Sequence, residues 1–424
     1  MQTTSDLNDS AFRPRTWTWL TAILVVAFAF VTGAGVPGKV QLLSVASTWQ
    51  LPGEPKIVCC APSPDFASVA IMRTNGDVEI WSTVGREVQR KIAAQIKLPE
   101  RFFGHSLVFS PDGQWLAILG GGPLRLVPVV GGTNELVIGD ARENVARVRF
   151  SGDSRRLLVC GRTERVVSLP EGKPVGAFQA RAPGVAGRPV LRPLSQHGTP
   201  ARPVKSLASA LSPDGSEVAL GQTFWEVERW DVATGQCRAF ASLHKGATLS
   251  TAHVISALNY APRDGQLVGV LDLNQWDVVL AEPDGKWRTL LHQTPLGQTQ
   301  RSLRRAIKDA FFTPDGREVV LLAEKLELGK DPFEMVGAKS VGAEVQFLGA
   351  ATGAVTRRFE GAAGCFFSQA WVSADGNRLM VLQRCYTATP RTHAERQAQH
   401  QLEGDLAAAL LTISLERQPK AGNP

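Results

Sequence analysis

One short element recurs seven times and constrains this chain more than any other feature. It is an apolar strand, then Ser-Pro-Asp-Gly or a close variant, then a second apolar strand. The copies are Ser63-Pro-Asp-Phe66, Ser110-Pro-Asp-Gly113, Ser151-Gly-Asp-Ser154, Ser212-Pro-Asp-Gly215, Pro262-Arg-Asp-Gly265, Thr313-Pro-Asp-Gly316 and Ser373-Ala-Asp-Gly376. Pro presets φ for the first corner of a turn, Asp bonds its own backbone, and Gly accepts positive φ. The flanks read as half-buried or buried strands, for example Ser106-Leu-Val-Phe109 before a turn and Trp115-Leu-Ala-Ile-Leu119 after it. Each aspartate is read as a turn residue with a local structural role, not as one of a ring of ligands.

A third strand closes several units and leads into another turn. Asp77-Val-Glu-Ile-Trp-Ser82 runs toward Val84-Gly85, Val227-Glu-Arg-Trp-Asp-Val232 into Ala233-Thr-Gly235, and Glu344-Val-Gln-Phe-Leu348 into Ala351-Thr-Gly353. A fourth strand follows, as in Ala354-Val-Thr-Arg-Arg-Phe359. Four strands in each unit of about 40–60 residues is the β-propeller pattern.

The units resemble WD repeats, best of all from Ser212-Pro-Asp-Gly215 through Arg229-Trp-Asp-Val-Ala-Thr-Gly235. Trp230-Asp231 keeps the signature dipeptide in its usual place, Trp276-Asp277 is a less regular instance, and Gly104-His105 lies too close to its strand to be the usual Gly-His corner. The resemblance covers residues 57–415 and implies a rigid scaffold for protein docking.

Val40-Gln-Leu-Leu-Ser-Val45 precedes the first unit and has no partner there. The last unit has no obvious outer strand, so this segment is expected to complete the last blade and remove the open sheet edges.

Upstream, no charged residue occurs between Arg15 and Lys39. As a helix this apolar stretch matches the thickness of the hydrocarbon core, and Trp17 and Trp19 sit where an interfacial aromatic belt is expected. It is read as a membrane anchor, with a cleaved signal peptide as the competing reading: Arg13 and Arg15 make a positive start and Thr32-Gly-Ala34 offers small residues for cleavage. Either way the bulk of the chain is expected outside the cytoplasm. The expected fold is therefore all-β: a seven-bladed β-propeller of four-stranded blades preceded by one N-terminal transmembrane helix. Its parts are a tail over 1–15, an anchor over 16–38, the propeller over 39–417 and a tail over 418–424.

The formal net charge is +7, and its distribution matters more than its size. Four insertions interrupt the repeat. The longest, Gln179 to Lys205, carries Arg181, Arg188, Arg192, Arg202 and Lys205 among five prolines, and no acidic residue occurs between Lys173 and Pro213. These five cations are the candidate partner-binding residues, for an acidic partner or anionic headgroups; a solvated, Pro-stiffened excursion is the plain reading. A second cluster, Arg301-Ser-Leu-Arg-Arg305 with Lys308, is read as the solvated face of a short connector. Neither cluster interleaves aromatics for base stacking, so no nucleic-acid partner is expected. The third insertion, Glu324 to Gly342, has mixed charge and no motif. The fourth, Tyr386 to Glu403, reads as a polar surface helix whose His393 and His400 are too far apart for the usual zinc spacing.

The six cysteines form no Cys-x-x-Cys pair, which excludes zinc ribbons and thioredoxin-type redox chemistry. Buried free thiols are the expected state, with Cys365–Cys385 the candidate bridge because they flank adjacent strands. Nucleophile elbows, Walker loops and dinucleotide fingerprints are missing, and Gly120-Gly121-Gly122 has no following helix to make a phosphate cradle. No metal, cofactor or catalytic residue is expected.

Two functions remain. The first is a membrane-tethered, non-enzymatic interaction scaffold with protein partners. The alternative is an exported enzyme or small-ligand sensor using the central channel. Innermost-strand positions such as Val58-Cys-Cys60, Leu107-Val-Phe109 and Ala210-Leu211 look apolar and weigh against it.

Overall fold

The computed structural model describes residues 40–52, 56–93, 106–120, 122–131, 134–140, 145–161, 164–178, 208–222, 225–243, 254–271, 277–292, 303–327, 339–385 and 408–416. The chain divides into two units, Met1–Val40 and Gln41–Pro424, and all the described strands belong to the second. The tail over 1–15 and the expected anchor over 16–38 lie outside the described residues, as do residues 179–205 and 386–403. No helix among the described residues is long and apolar enough to cross a membrane.

Seven sheets, each built on an antiparallel meander, account for the described β-structure. Each of the seven Asp turns joins the first strand of a blade to the second. Blade one runs from Ile57–Pro62 to Val88–Ile92, blade four from Ala208–Leu211 to Cys237–Ser242, and blade six from Leu303–Phe312 to Val355–Glu360. First strands of successive blades lie against one another, which puts them innermost around the ring axis.

The core is not one cluster but seven, one between each pair of neighbouring blades. Leu116 and Ile118 of blade two pack on Ala61 and Ala70 of blade one, and Leu211 and Trp230 of blade four pack on Leu158 and Phe178 of blade three. The last of the seven closes the ring: Met380 and Leu382 of blade seven meet Ile57, Val69 and Ile71 of blade one. Every blade except its outer strand is thus buried on both faces, which is why the second strands read as continuous apolar runs.

Closure uses the N-terminal segment, but five residues later than expected. Val45–Gln50 pairs antiparallel with Ala408–Ser414 and becomes the outer strand of blade seven, with Trp49 opposite Leu410. The predicted segment instead contributes Gln41–Leu42, which adds to blade six as a parallel edge beside Arg357 and Arg358. The closing strand is half polar because an outer strand needs only its inward residue, Trp49, to be apolar; the other five are exposed.

The Asp turns share one hydrogen-bond plan. In the first, the Ser63 hydroxyl donates to Asp65 Oδ1 at 2.6 Å and accepts from the Ser68 amide at 2.9 Å, while Asp65 Oδ1 accepts from the Ala67 amide at 3.0 Å. The same three bonds recur at Ser110, Ser151, Ser212, Thr313 and Ser373. The residue after Asp has positive φ in all seven turns, including the two that lack Gly there, Phe66 and Ser154. Contacts with the adjoining blade compensate at both. Phe66 is buried under the Arg378 guanidinium, and the Ser154 hydroxyl accepts from the Asp112 amide of blade two at 3.1 Å. At Gly215 no side chain fits: φ is +68° and a Cβ would stand 2.6 Å from Arg156 Cδ of blade three.

Blade five is a natural deletion of this plan. Ala261, directly after its first strand, has no hydroxyl, and Asp264 stands three residues after it where the other turns have two, so only the Gln266 amide bonds Asp264 Oδ1, at 3.2 Å.

The plan also sets an acid limit. The Ser63 hydroxyl and the Ala67 amide hold Asp65 below its ordinary 3.8, and the Ser373 hydroxyl and the Asn377 amide do the same for Asp375. At Asp214 and Asp315 burial is the largest single influence and opposes the shift, but the Ser212 and Thr313 hydroxyls together with the Ser216 and Arg317 amides outweigh it. A carboxylate whose pKa is depressed by folding stabilises above its unfolded pKa and loses that contribution as pH falls through the folded value. Melting temperature is therefore expected to hold above pH ~4 and to fall between pH ~4 and ~2.

Candidate functional site: one rim and the ring axis

Because each blade is an up-and-down meander with its first strand innermost, its connections sort onto two rims. The seven Asp turns and the third-to-fourth strand turns share one rim. The second-to-third strand connections and the links between blades share the other. All four insertions fall on this second rim. Residues 179–205, carrying Arg181, Arg188, Arg192, Arg202 and Lys205, lie outside the described residues, but the segment leaves the end of Pro174–Phe178 and returns at Ala208–Leu211. The fourth insertion, with His393 and His400, joins Arg378–Cys385 to Ala408–Ser414.

Two sequence expectations change on this rim. The Arg301–Lys308 cluster is no short connector from Leu303 onward, and the third insertion begins and ends in strand, over 324–327 and 339–342, with 328–338 outside the described residues. The first three strands of blade six run 10, 10 and 11 residues, well beyond the four to six of the first five blades. Their extra length holds a charge cluster. Glu344 is fully buried, with Arg305, Lys325 and Arg358 all in ion-pair range, and Gln346 Nε2 donates to it at 3.0 Å. Lys325 and Arg358 also reach Glu360, and Lys308 pairs with Glu324 at 3.5 Å. In sequence these cations look like a solvated face because most of their partners lie well outside any local window.

The cysteine expectation changes in one pair. Cys365 and Cys385, directly opposite on neighbouring strands of blade seven, are joined as a disulfide. Cys59, Cys60 and Cys160 are buried free thiols, and Cys237 is free and half-buried. Burial pushes the Cys59 thiol up to about 12, so it stays protonated and unreactive.

The ring axis is more polar than the innermost positions of blades one, two and four suggest. Two residues and four residues before the turn hydroxyl position, blade three places Arg149 and Arg147; blade five places Asn259 and blade six Asp309 at these two levels. Alternate residues of a strand share a face, so these four point the same way as the small Ala61 and Ala210 of blades one and four. Asn259 Nδ2 donates to the Ala310 carbonyl at 2.7 Å and to Asp309 Oδ1 at 3.3 Å, and the Ala310 amide donates to the same oxygen at 2.9 Å. Burial raises the Asp309 carboxyl above its ordinary range; the Arg149 charge, reaching it from blade three, pulls it partly back. Burial lowers the pKa of Arg147, and the neighbouring charge of Arg149 adds to that. The sequence signal existed in Arg147-Val-Arg149-Phe150, a polar alternation on an innermost strand.

No protein-family model matches the chain, and no curated protein sequence matches it. Among solved structures, the β-propeller domain of Cps50 (Swd1) from Myceliophteria thermophila superposes with a TM-score of 0.56 at 14% identity, covering 88% of this chain and 100% of that one. The seven closed four-stranded blades, the shared turn plan and this likeness together give the chain a WD40-like seven-bladed β-propeller fold.

Proposed function

We propose that the protein is a non-enzymatic interaction scaffold, tethered to a membrane through residues 16–38, that docks protein partners on the rim carrying its insertions. One observation carries this reading: four insertions unrelated in sequence all join strand ends on the same rim, while the opposite rim is built on seven tight Asp turns, six of them sharing one hydrogen-bond plan. Loops on a rigid frame are where binding specificity concentrates. The five cations Arg181, Arg188, Arg192, Arg202 and Lys205 would give that rim a basic element suited to an acidic partner. The Cys365–Cys385 bridge supports an oxidising compartment, and so an extracytoplasmic propeller on a single-pass anchor or secreted after cleavage.

The test is crosslinking and capture from detergent-solubilised membranes. The full chain is compared with one lacking residues 179–205 and with one carrying Ser at all five cationic positions. Specific loss of a partner in both variants, with salt-sensitive capture by the full chain, is the expected result. Equal capture by all three would remove the basic loop from the interface. A second reading, a small-ligand sensor on the ring axis, is favoured by the polar residues of blades three, five and six.

A further inference from the structure

Arg149 and Asp309 both lie on innermost strands, of blades three and six, three apart in a ring of seven. Arg149 Nη1 donates only to the carbonyl of its own neighbour Val148, at 3.3 Å, and its buried Nε has no acceptor. Asp309 accepts only through Oδ1, from Asn259 and Ala310, and no cation among the described residues stands within the 4.0 Å of an ion pair. The two charges therefore feel one another without meeting. Arg149 Nε is left with an unmet demand where burial makes it costly, and the half-buried Asp309 keeps Oδ2 for a further donor.

A ligand that answers one group alone leaves the other worse off. An anion on Arg149 would be repelled by Asp309, and a cation on Asp309 would be repelled by Arg149 and by Arg147 beside it. A molecule carrying a carboxylate and an ammonium a few ångström apart satisfies both groups at once. We propose that the ring axis binds a small zwitterion of the α-amino-acid class, its carboxylate on Arg149 and its ammonium on Asp309. Arg147, on the same face of the same strand, reinforces the carboxylate end. Asn259 holds Asp309 in place. This proposal rests on the second functional reading and is independent of docking on the rim: one is read by ligand uptake, the other by partner capture.

Glycine is the probe, because it has the required charges and no side chain to clash. Thermal unfolding of the full chain is measured with about 20 mM glycine, sodium acetate, methylammonium chloride or sodium chloride, at matched ionic strength. The expected result is a rise of about 2–4 °C with glycine alone. Arg149→Gln and Asp309→Asn should each abolish that rise. Equilibrium dialysis of labelled glycine should show saturable uptake of one molecule per chain, lost in both variants. Should either variant fail to fold, Arg149→Lys, which keeps the charge, is expected to retain a weakened rise. The proposal is overturned by an equal shift with acetate, by a shift that survives in Asp309→Asn, or by no saturable glycine uptake.

Discussion

A chain beginning at residue 55 is expected to melt at least about 10 °C below one beginning at residue 39, and to associate on warming. The shorter chain loses Val45–Gln50, the outer strand of blade seven, and with it the buried side chains of Trp49 and Leu51. Truncating a buried Trp costs about 3–5 kcal/mol and a buried Leu about 2–5, before any ladder hydrogen bonds are counted. Trp49 also sits at the ring's seam, 5.9 Å from Trp81 of blade one and in the cluster that joins blades seven and one. Its loss therefore loosens an interface as well as a strand. The strand Ala408–Ser414 would become an open edge, which is the source of the expected association. A chain beginning at residue 44 separates the two N-terminal pairings. It lacks the Gln41–Leu42 pairing, where Leu42 is 74% exposed, and the half-buried Leu43, which packs on the cluster between blades six and seven, and should melt within about 4 °C of the longer chain. Differential scanning calorimetry of the three chains, with light scattering, checks both statements. Equal melting of the chains starting at 39 and 55 would refute the role given to the closing strand.

The second large effect is expected at Glu344. Replacing it with Gln preserves shape and leaves Arg305, Lys325 and Arg358 gathered around a neutral amide. Glu344 has no exposed surface, so water cannot take over the work of the carboxylate. Breaking a buried ion pair from one side costs about 3–5 kcal/mol, which for a domain of this size lowers the melting temperature by about 5–10 °C. Glu360 supplies the control. It touches two of the same cations, at 2.8 Å from Lys325 and 3.9 Å from Arg358, but is half exposed. Glu360→Gln should cost less than about 1 kcal/mol, as exposed pairs do. Parallel melting curves decide the matter; similar shifts in the two variants would show that the cluster is solvated after all.

How much of this is legible in sequence depends on range. The Asp turns are fully legible because their chemistry is local: a hydroxyl, a carboxylate and an amide within six residues fix the shape. Even Ser151-Gly-Asp-Ser154, which lacks both Pro and Gly at the usual places, forms the same turn. Closure is legible in kind but not in register, because Val40–Val45 is the more apolar segment while Val45–Gln50 needs only one inward residue. The length of blade six is hidden because its extra residues are charged. Strands that bury carboxylates against cations from neighbouring strands look like polar loops when read alone. The ring axis is harder still, because the innermost strands of blades one, two and four are apolar there and blade three differs. A ring is a set of unlike walls around one line, so a sample of its strands does not describe its interior.

The closing strand also reverses the usual order of assembly. Val45–Gln50 is synthesised about 360 residues before its partner Ala408–Ser414, a delay of roughly 20–70 s at common translation rates. Through that interval Trp49 has no partner strand, and six successive blades can stack while the seventh waits. The seam is thus the last join made and the natural point at which the nascent protein must be shielded from its own copies. A chain whose head must find its tail carries its own test of completeness, since no unfinished product can seal.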